Sequence, residues 1–389
     1  MNTPRPFVEQ IDGYDAIAAE RQVLEKYGTD FRPERGAVRR IIDRLHPDAL
    51  SLRVAAVIGE TPTATTLRLV SDGCPLPPFQ AGQYINLHLG LGGILTSRPY
   101  SISSSPHQGA YYDITVRKLI DGFVSAHLVD AVLPGDVFTT SAPTGQFVHN
   151  PVFHGEDLVF LAGGSGITPF MSMIRDVTDR GLARKITLIY GSRHSDDIIF
   201  SDELARRVED HDALRVIHVI SEPDREYTGR AGFITADLIR EAAGDLTGKM
   251  FYICGPEVMY AFCLKALETL GVPRRRIRTE VFGPPVRVTD QPGWPIAVAA
   301  QQRFSVAIAG RASVSVAAGE PLMIGLERNA IVLPALCRSG ECSLCRTRLV
   351  RGEVFQPAGV KVRASDRTNG YIHPCMAYPV SDLQIELPG

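Results

Sequence analysis

The sequence has few of the features that mark membrane, secreted or nucleic-acid-binding proteins. Its formal net charge is only −2, so no strong field favours nucleic acid. No apolar run approaches the roughly 20 residues of a membrane span, and residues 1–10 lack the apolar core of a signal peptide. Repeats and low-complexity tracts are also missing. We therefore expect a cytoplasmic protein without a membrane span or a nucleic-acid partner.

The residue pattern changes along the chain, whose 389 residues are enough for about two to four domains. Short alternating strands with turn signals predict a small antiparallel barrel or sandwich first. Apolar strands that alternate with helices then predict a parallel, helix-covered sheet. We predict a helical extension, the β domain, the α/β domain, a Pro/Gly-rich linker and a last domain over residues 1–49, 50–150, 151–283, 284–300 and 301–389.

The N-terminal extension carries two helical patterns. Apolar residues are spaced for one face at Ile17 in the first, and at Ile41 and Ile42 in the second. The second helix is also basic, through residues such as Arg40 and Arg44. The pattern favours a helix packed on the body with a solvated basic face, and a docking surface for an acidic partner is the alternative.

Four of the seven cysteines follow the spacing of one metal site: Cys337, Cys342, Cys345 and Cys375. The spacing is C-x4-C-x2-C, then 29 residues to the fourth, which is the plant-type [2Fe–2S] pattern. Soft thiolates select iron–sulfur or zinc. Structural zinc sites usually use two short C-x2-4-C pairs, so the cluster is favoured over zinc. The other three cysteines have no motif spacing, which suits a reducing compartment: Cys74, Cys254 and Cys263.

Two polar motifs lie in the β domain. Arg98 and Tyr100 alternate along one predicted strand and share a face, with Ser101 on the other. A guanidinium can bind a phosphate in a bidentate manner, and a tyrosine can cover a flat ring. Gly122 and Ser125 come at the start of a helical run, where free N–H groups bind anions.

A glycine loop lies between a strand and a helix of the α/β domain. Gly164 and Gly166 allow backbone N–H groups to approach a pyrophosphate at the start of the helix, and Thr168 and Pro169 follow them. The position between strand and helix predicts dinucleotide binding, although the spacing differs from G-x-G-x-x-G.

In this order the motifs resemble those of the ferredoxin–NADP reductase family, over residues 50–283, and of plant-type ferredoxins, over residues 301–389. The resemblance rests on R-x-Y-S at 98–101, G-x-x-S at 122–125, G-x-G-x-T-P at 164–169, Y-G-x-R at 190–193 and C-G-P at 254–256. It implies an antiparallel β-barrel flavin domain, a parallel-sheet nicotinamide domain and a β-grasp-like α+β ferredoxin domain. It implies FAD, with FMN as the alternative.

The resemblance also implies the roles of single residues. Three of them surround the reactive edge of the flavin, where they orient the nicotinamide: Ser101, Cys254 and Glu280. The other reading of Cys254 is a small buried hydrophobe at a strand end. Cofactor binding is implied for Arg98, Tyr100, Ser101, Arg117, Gly122, Ser125, Phe282, Gly164, Gly166, Thr168, Pro169, Arg193, Glu222, Gly255 and Pro256.

The residue after Ser221 bears on the choice of nicotinamide. NADPH-using relatives have an arginine there, and this chain has Glu222. A carboxylate repels a 2′-phosphate and can accept a hydrogen bond from a 2′-hydroxyl. We therefore expect NADH. NADPH stays the alternative, because Arg193, Arg225 and Arg230 lie near in sequence.

The three modules together describe a converter from hydride to single electrons, since NADH delivers two electrons and a [2Fe–2S] cluster accepts one. We expect the acceptor to be a partner redox protein such as an oxygenase component. A corrinoid-protein activator and a non-catalytic redox-sensing subunit are the alternatives. Residues 301–389 hold ten basic and seven acidic residues, a net charge of +3, which favours an acceptor with an acidic docking patch.

Overall fold

The computed structural model describes residues 12–27, 37–73 and 75–387 and divides into two compact units, Met1–Asp48 and Ala49–Gly389. The first unit contains helices α1 (Tyr14–Tyr27) and α2 (Ala37–Leu45). Ile17, Ile41 and Ile42 are exposed on them. Cys74 lies outside the described residues. Among the helices of the described ranges, none has both the length and the apolar character that a membrane crossing needs.

The first part of the larger unit is a curled antiparallel sheet, as predicted. Its elements are β1 (Leu50–Thr61), β2 (Ala64–Val70), β3 (Tyr84–Leu91), β4 (Ile94–Ser101), β5 (Tyr112–Arg117), α3 (Phe123–Asp130) and β6 (Val137–Thr140). The strand order is β4-β3-β6-β1-β2-β5. An antiparallel bridge between Ile102 and Ile114 joins the two edges and closes the barrel. Alternate side chains such as Leu67, Leu87 and Ile114 fill the interior.

The second part is a six-stranded sheet whose strand pairs are all parallel. It contains β7 (Asp157–Gly163), α4 (Ile167–Asp179), β8 (Lys185–Ser192), α5 (Ser201–Asp210), β9 (Leu214–Ile220), β10 (Arg230–Ala231), α6 (Ala236–Ala243), β11 (Met250–Cys254), α7 (Glu257–Thr269) and β12 (Ile277–Glu280). The order β10-β9-β8-β7-β11-β12 brings the carboxyl ends of β7, β8, β9 and β11 to one edge, where ligands bind in such sheets.

The third part is an α+β domain. It contains β13 (Arg303–Ile308), β14 (Val314–Ala317), α8 (Leu322–Glu327), β15 (Thr347–Arg351), β16 (Val354–Phe355), α9 (Ala364–Thr368), β17 (Tyr371–Ile372), β18 (Tyr378–Pro379) and β19 (Leu383–Glu386). The main sheet has the order β14-β13-β19-β15-β17, with β13 and β19 parallel at its centre, and β16 pairs with β18. Leu322, Met323 and Leu326 of α8 pack on this sheet, which is the predicted β-grasp arrangement.

The segment that joins the second and third parts is well packed. Trp294 is buried, and its ring lies 5.2 Å from that of Phe355 and 6.4 Å from that of Tyr378. Its indole Nε1 donates to the Val298 carbonyl at 3.0 Å. The Pro and Gly residues predict an inter-domain linker here. The aromatic contacts attach this linker to the C-terminal domain.

Candidate functional site

The four cysteines of the metal motif form two pairs in the C-terminal domain. The Sγ atoms of Cys345 and Cys375 are 3.5 Å apart, and the Cys342 thiol hydrogen-bonds to Cys337. Two thiolates of one tetrahedral ion with bonds of about 2.3 Å lie about 3.7 Å apart. Two ligands on each of two irons is the requirement of a [2Fe–2S] cluster, so the pairs fit it.

Backbone N–H groups of the loop that carries three of these cysteines donate hydrogen bonds to the Sγ atom of Cys337. The N–H groups of Glu341 and Cys342 both donate to Cys337 Sγ at 3.3 Å. The Cys342 thiol and these amides hold the pKa of Cys337 below its ordinary value. Positive φ angles at Arg338 (50°), Gly340 (78°) and Ser343 (60°) curl the loop, and such backbone conformations concentrate at ligand-binding sites.

A cavity of about 390 Å³ lies beside this loop. Ser101 of the barrel, Glu280 and Phe282 of the α/β domain, and Cys337 and Cys342 of the cysteine motif all line it. The Ser101 hydroxyl is buried and has no hydrogen-bond partner among the described residues. A buried hydroxyl without a partner is costly, so the cavity fits a ring that supplies the missing partner, as a flavin does.

Glu280 lines this cavity, and Cys254 lies next to it on the neighbouring strand. They are paired in the parallel register of β11 and β12. Burial raises the pKa of the Glu280 carboxyl to about 8, and the Glu341 carboxylate adds to the shift. Burial also raises the pKa of Cys254, whose side chain is fully buried in the core of the α/β domain. Burial therefore favours the neutral form of both groups.

The Arg98 and Tyr100 side chains lie on the β4 strand that leads to the cavity. Arg98 Nη1 donates to Thr96 Oγ1 at 2.6 Å and to the Ser97 carbonyl at 2.7 Å. Burial lowers the pKa of Arg98 to about 10, and the charge of Arg338 adds to this effect. Arg338 is itself paired with Glu327, so the half-buried Arg98 guanidinium is the group that could bind an anion such as a phosphate.

The glycine loop and the C-G-P segment touch each other. A Cβ on Gly166 would lie 2.2 Å from the Cys254 carbonyl oxygen, so only glycine fits there. Gly163 meets Pro256 in the same way. Thr168 is buried and donates to the Ser165 carbonyl at 2.9 Å, which shapes the loop. Together, these contacts bring the ends of β7 and β11 to one binding edge.

The remaining barrel residues of the motif set shape the connection to the α/β domain. Ser125 Oγ accepts the Leu119 N–H at 3.1 Å, and a Cβ on Gly122 would meet that oxygen at 2.2 Å. Arg117 Nη1 pairs with Asp197 at 3.1 Å and lies close to Gly164. Ser125 thus holds the loop before α3, and Arg117 links the barrel to the α/β domain.

Arg193 and Glu222 lie at the ends of β8 and β9 and are paired. Arg193 Nε donates to Glu222 Oε1 at 2.9 Å, and the Glu222 N–H donates to the Arg193 carbonyl at 2.9 Å. The two side chains are 63% and 53% exposed. An exposed pair of this kind contributes at most about 1 kcal/mol to stability, so both side chains can turn to a ligand at little cost.

The sequence motifs do not identify several residues that line the cavity or lie beside it. Tyr84, Thr144 and Lys361 line the cavity. Arg338 and Glu327 form a buried ion pair next to the cysteine loop. Arg338 lies inside the cysteine motif, but its pairing with Glu327 and the positions of the other residues arise from packing between distant segments, which no local spacing in the sequence signals.

Three family models match the chain. Residues 72–149 match the oxidoreductase FAD-binding domain, residues 160–265 the oxidoreductase NAD-binding domain, and residues 306–380 the 2Fe-2S iron-sulfur cluster binding domain. These matches confirm the expected cofactors FAD, NADH and a [2Fe–2S] cluster, and the cluster takes the place of the zinc alternative.

Known proteins resemble the chain over most of its length. The NADH oxidoreductase HCR of Escherichia coli is 30% identical over 335 residues, which are 85% of this chain and 96% of that protein. The glycine betaine monooxygenase reductase subunit of Pseudomonas aeruginosa is 28% identical over 352 residues, 86% of this chain and 94% of that protein. A solved structure of phthalate dioxygenase reductase has a TM-score of 0.64 at 24% identity and covers 88% of this chain and 98% of its own. The three-domain fold is thereby confirmed.

Proposed function

Because the chain belongs to the ferredoxin–NAD(P) reductase-type flavoproteins that carry a C-terminal plant-type [2Fe–2S] domain, we propose that it is the reductase component of an oxygenase system. It takes electrons from NADH and delivers them singly to a partner redox protein. The chain matches 94% of one relative, which is named as the reductase subunit of a monooxygenase, and 96% of another, which is named as an NADH oxidoreductase. Both names support this assignment.

The cavity shared by the three domains is the observation that carries the proposal. FAD accepts the two electrons of a hydride and releases them one at a time, and the cluster carries one, so each NADH serves two single-electron deliveries. Ser101, Glu280 and Phe282 would hold the ring edge in this cavity, with Cys337 and Cys342 forming the opposite wall. A flavin ring bound in this cavity would lie directly against the cysteines that would hold the cluster.

The other residues of the motif set would hold the extended parts of the cofactors. Arg98 and the α3 start at Gly122 suit the flavin phosphates, and Tyr100 suits the ring. The glycine loop and the Gly255-Pro256 segment suit the nicotinamide dinucleotide. Glu222, held by Arg193 at 2.9 Å, suits a 2′-hydroxyl and disfavours a 2′-phosphate. Cys254, neutral and buried, would support the nicotinamide site through packing and register with Glu280.

The acceptor would dock at an exit surface that we define as Leu344, Arg346, Lys361, Arg363 and Arg367. All five side chains are exposed. Lys361 pairs with Glu341 at 2.6 Å and Arg346 with Asp366 at 3.5 Å, which ties the surface to the cysteine loop. Four cations against these two carboxylates leave excess positive charge around an apolar residue adjacent to Cys345, which fits an acceptor with an acidic rim.

The alternative acceptors and roles fit less well. A corrinoid-protein activator would share the relay, so only the acceptor distinguishes it. A redox-sensing subunit without activity has no need of a complete nicotinamide edge, yet Gly166, Cys254, Gly255 and Pro256 are present and in contact. We keep the predicted domain limits and the reducing cytoplasm, which suits thiolate ligands, as part of this proposal.

Anaerobic addition of NADH to the purified protein tests the function. Flavin and cluster absorption should both bleach, and the protein should reduce ferricyanide and cytochrome c. Cys375→Ser should lose iron and cytochrome c reduction while the flavin is still bleached by NADH. Colourless protein, or colour that NADH leaves unchanged, would refute the proposed function.

Charge reversal tests the exit surface separately. Arg363→Glu with Arg367→Glu should lower the rate with an acidic acceptor such as cytochrome b5 roughly tenfold at low salt, and should not lower the rate with basic cytochrome c. The control is the same reversal at two exposed residues of the α/β domain, Arg206 and Arg240. Equal losses with both acceptors would contradict an acidic partner.

A further inference from the structure

A buried ion pair lies where the C-terminal domain meets the barrel. Arg338 Nη1 and Nη2 bind the two Glu327 carboxylate oxygens at 2.6 and 2.9 Å, and the side chains are only 6% and 4% exposed. Glu327 ends α8, and Arg338 directly follows the ligand Cys337. Desolvation offsets most of the attraction in such a pair, so an apolar contact would stabilise the fold as well. Stability alone therefore does not explain why this ion pair is present.

The same carboxylate also contacts the flavin domain. Thr96 Oγ1 donates to Glu327 Oε2 at 2.9 Å and accepts from Arg98 Nη1 at 2.6 Å. A continuous series of hydrogen bonds thus runs from Arg98 of the flavin motif through Thr96 and Glu327 to Arg338 beside the cysteine loop. The Thr96 hydroxyl has one proton, which it donates to Glu327, so its oxygen is free to accept the hydrogen bond from Arg98.

A second contact joins the same two domains. Asn86 Nδ2 of β3 donates to the Ala335 carbonyl at 2.7 Å, and Asn86 is fully buried. Ala335 precedes Cys337 by two residues. The cysteine loop is therefore held on its N-terminal side by two strands of the barrel, and both contacts are shielded from water, where hydrogen bonds are strongest.

We propose that Glu327 and Arg338, bonded through Thr96 to the flavin strand, are positioning residues that fix the cysteine loop at a set distance from the flavin site. This inference rests on the proposed function, because it concerns electron transfer from the flavin to the cluster within this protein. Electron transfer weakens steeply with distance, and small displacements of a reacting group cost large factors in rate. Loosening the contact should slow transfer to the cluster and leave the NADH step unchanged.

Thr96→Val is the sharpest test, because it removes the hydroxyl that joins the two domains and leaves the Glu327–Arg338 pair intact. Arg98 loses its bond to that hydroxyl but keeps the one to the Ser97 carbonyl, and the use of flavin-loaded protein removes any effect on flavin binding. Thr115→Val is the matched control. Thr115 is also buried in a barrel strand, but its hydroxyl bonds only within the barrel, to Thr66 at 2.8 Å and Ser103 at 3.0 Å. Glu327→Gln is the second variant, which keeps the side-chain shape and removes the charge.

Single-turnover mixing with NADH, done on flavin-loaded protein without oxygen, separates the two steps by wavelength. In Thr96→Val, flavin reduction should match wild type, and subsequent cluster reduction should be slower roughly tenfold or more. Hydrogen–deuterium exchange should rise in peptides covering residues 84–101 and 335–345. The electron paramagnetic resonance spectrum of the dithionite-reduced cluster should be unchanged, since the ligands are intact.

The outcomes separate this inference from the proposed function. If wild type shows no NADH-dependent bleaching, the function itself fails. If wild type bleaches and Thr96→Val equals Thr115→Val in cluster reduction and in exchange, the positioning role is refuted. A double variant with Glu327→Gln should lose no more than the larger single effect, because both act through one contact. Strictly additive losses would also refute the role. If Glu327→Gln fails to fold, the comparison of Thr96→Val with Thr115→Val decides whether the positioning role holds.

Discussion

Exchange of Glu222 should change which nicotinamide coenzyme the protein prefers. Two unit charges 4 Å apart in water interact with about 1 kcal/mol, and a phosphate monoester carries nearly two charges. Glu222 is half exposed and paired with Arg193, so this solvated value applies. Glu222→Gln removes a repulsion of about 2 kcal/mol, which is roughly a 30-fold rise in the NADPH to NADH ratio of kcat/KM. Glu222→Arg should raise it further, because attraction replaces repulsion and Arg193 is released.

The assay is steady-state ferricyanide reduction with each coenzyme at low and at physiological salt. The shift should shrink as salt rises, since the groups are exposed. Glu268→Gln is the control, because Glu268 is likewise exposed and ion-paired, in the last turn of α7. Unfolding midpoints of both variants should stay near wild type. A ratio that does not change in Glu222→Gln or Glu222→Arg would refute the assignment of this carboxylate to the 2′ position.

Three further changes test packing and protonation. Gly166→Ala forces a Cβ against the Cys254 carbonyl, so NADH should no longer bleach the protein, whereas dithionite should. Trp294→Ala empties a buried ring site and should lower the free energy of unfolding by about 3–5 kcal/mol in urea titration. Burial, with the charge of Arg278, lowers the pKa of His154 from 6.5 to about 4. The unfolded state therefore binds more protons between these values, and stability should fall as pH drops through them. His154→Asn should flatten that fall, and an unchanged slope would contradict it.

Local sequence patterns predicted most of the fold. The alternation around Arg98 and Tyr100 gave strand β4, the glycines at 164 and 166 gave a strand-to-helix turn, and the spacing of the cysteines gave their grouping. These features depend on neighbours within a few residues, where period and backbone preference act directly.

The rest depends on contacts between distant residues, which a single sequence does not encode locally. Asn86 meets Ala335 across 249 positions, and Thr96 meets Glu327 across 231. Nothing near Thr96 distinguishes it from any other strand threonine. The Pro-rich composition of residues 284–300 predicts a linker. It does not reveal that Trp294 packs against two aromatic rings of the C-terminal domain. Residue roles in the site remain predictions for the experiments above.

The cavity between Ser101 and Cys342 has walls contributed by residues from Tyr84 to Lys361. A ribosome must therefore complete nearly the whole polypeptide before that pocket can close. A chain that ended ahead of residue 301 would lack the wall formed by Cys337, Cys342 and Lys361, so a flavin ring bound as proposed would have its edge open to solvent. Dioxygen would then compete for the electrons and yield peroxide. In the proposed relay, the last domain would therefore serve both as the exit for electrons and as a cover that keeps dioxygen away from the flavin.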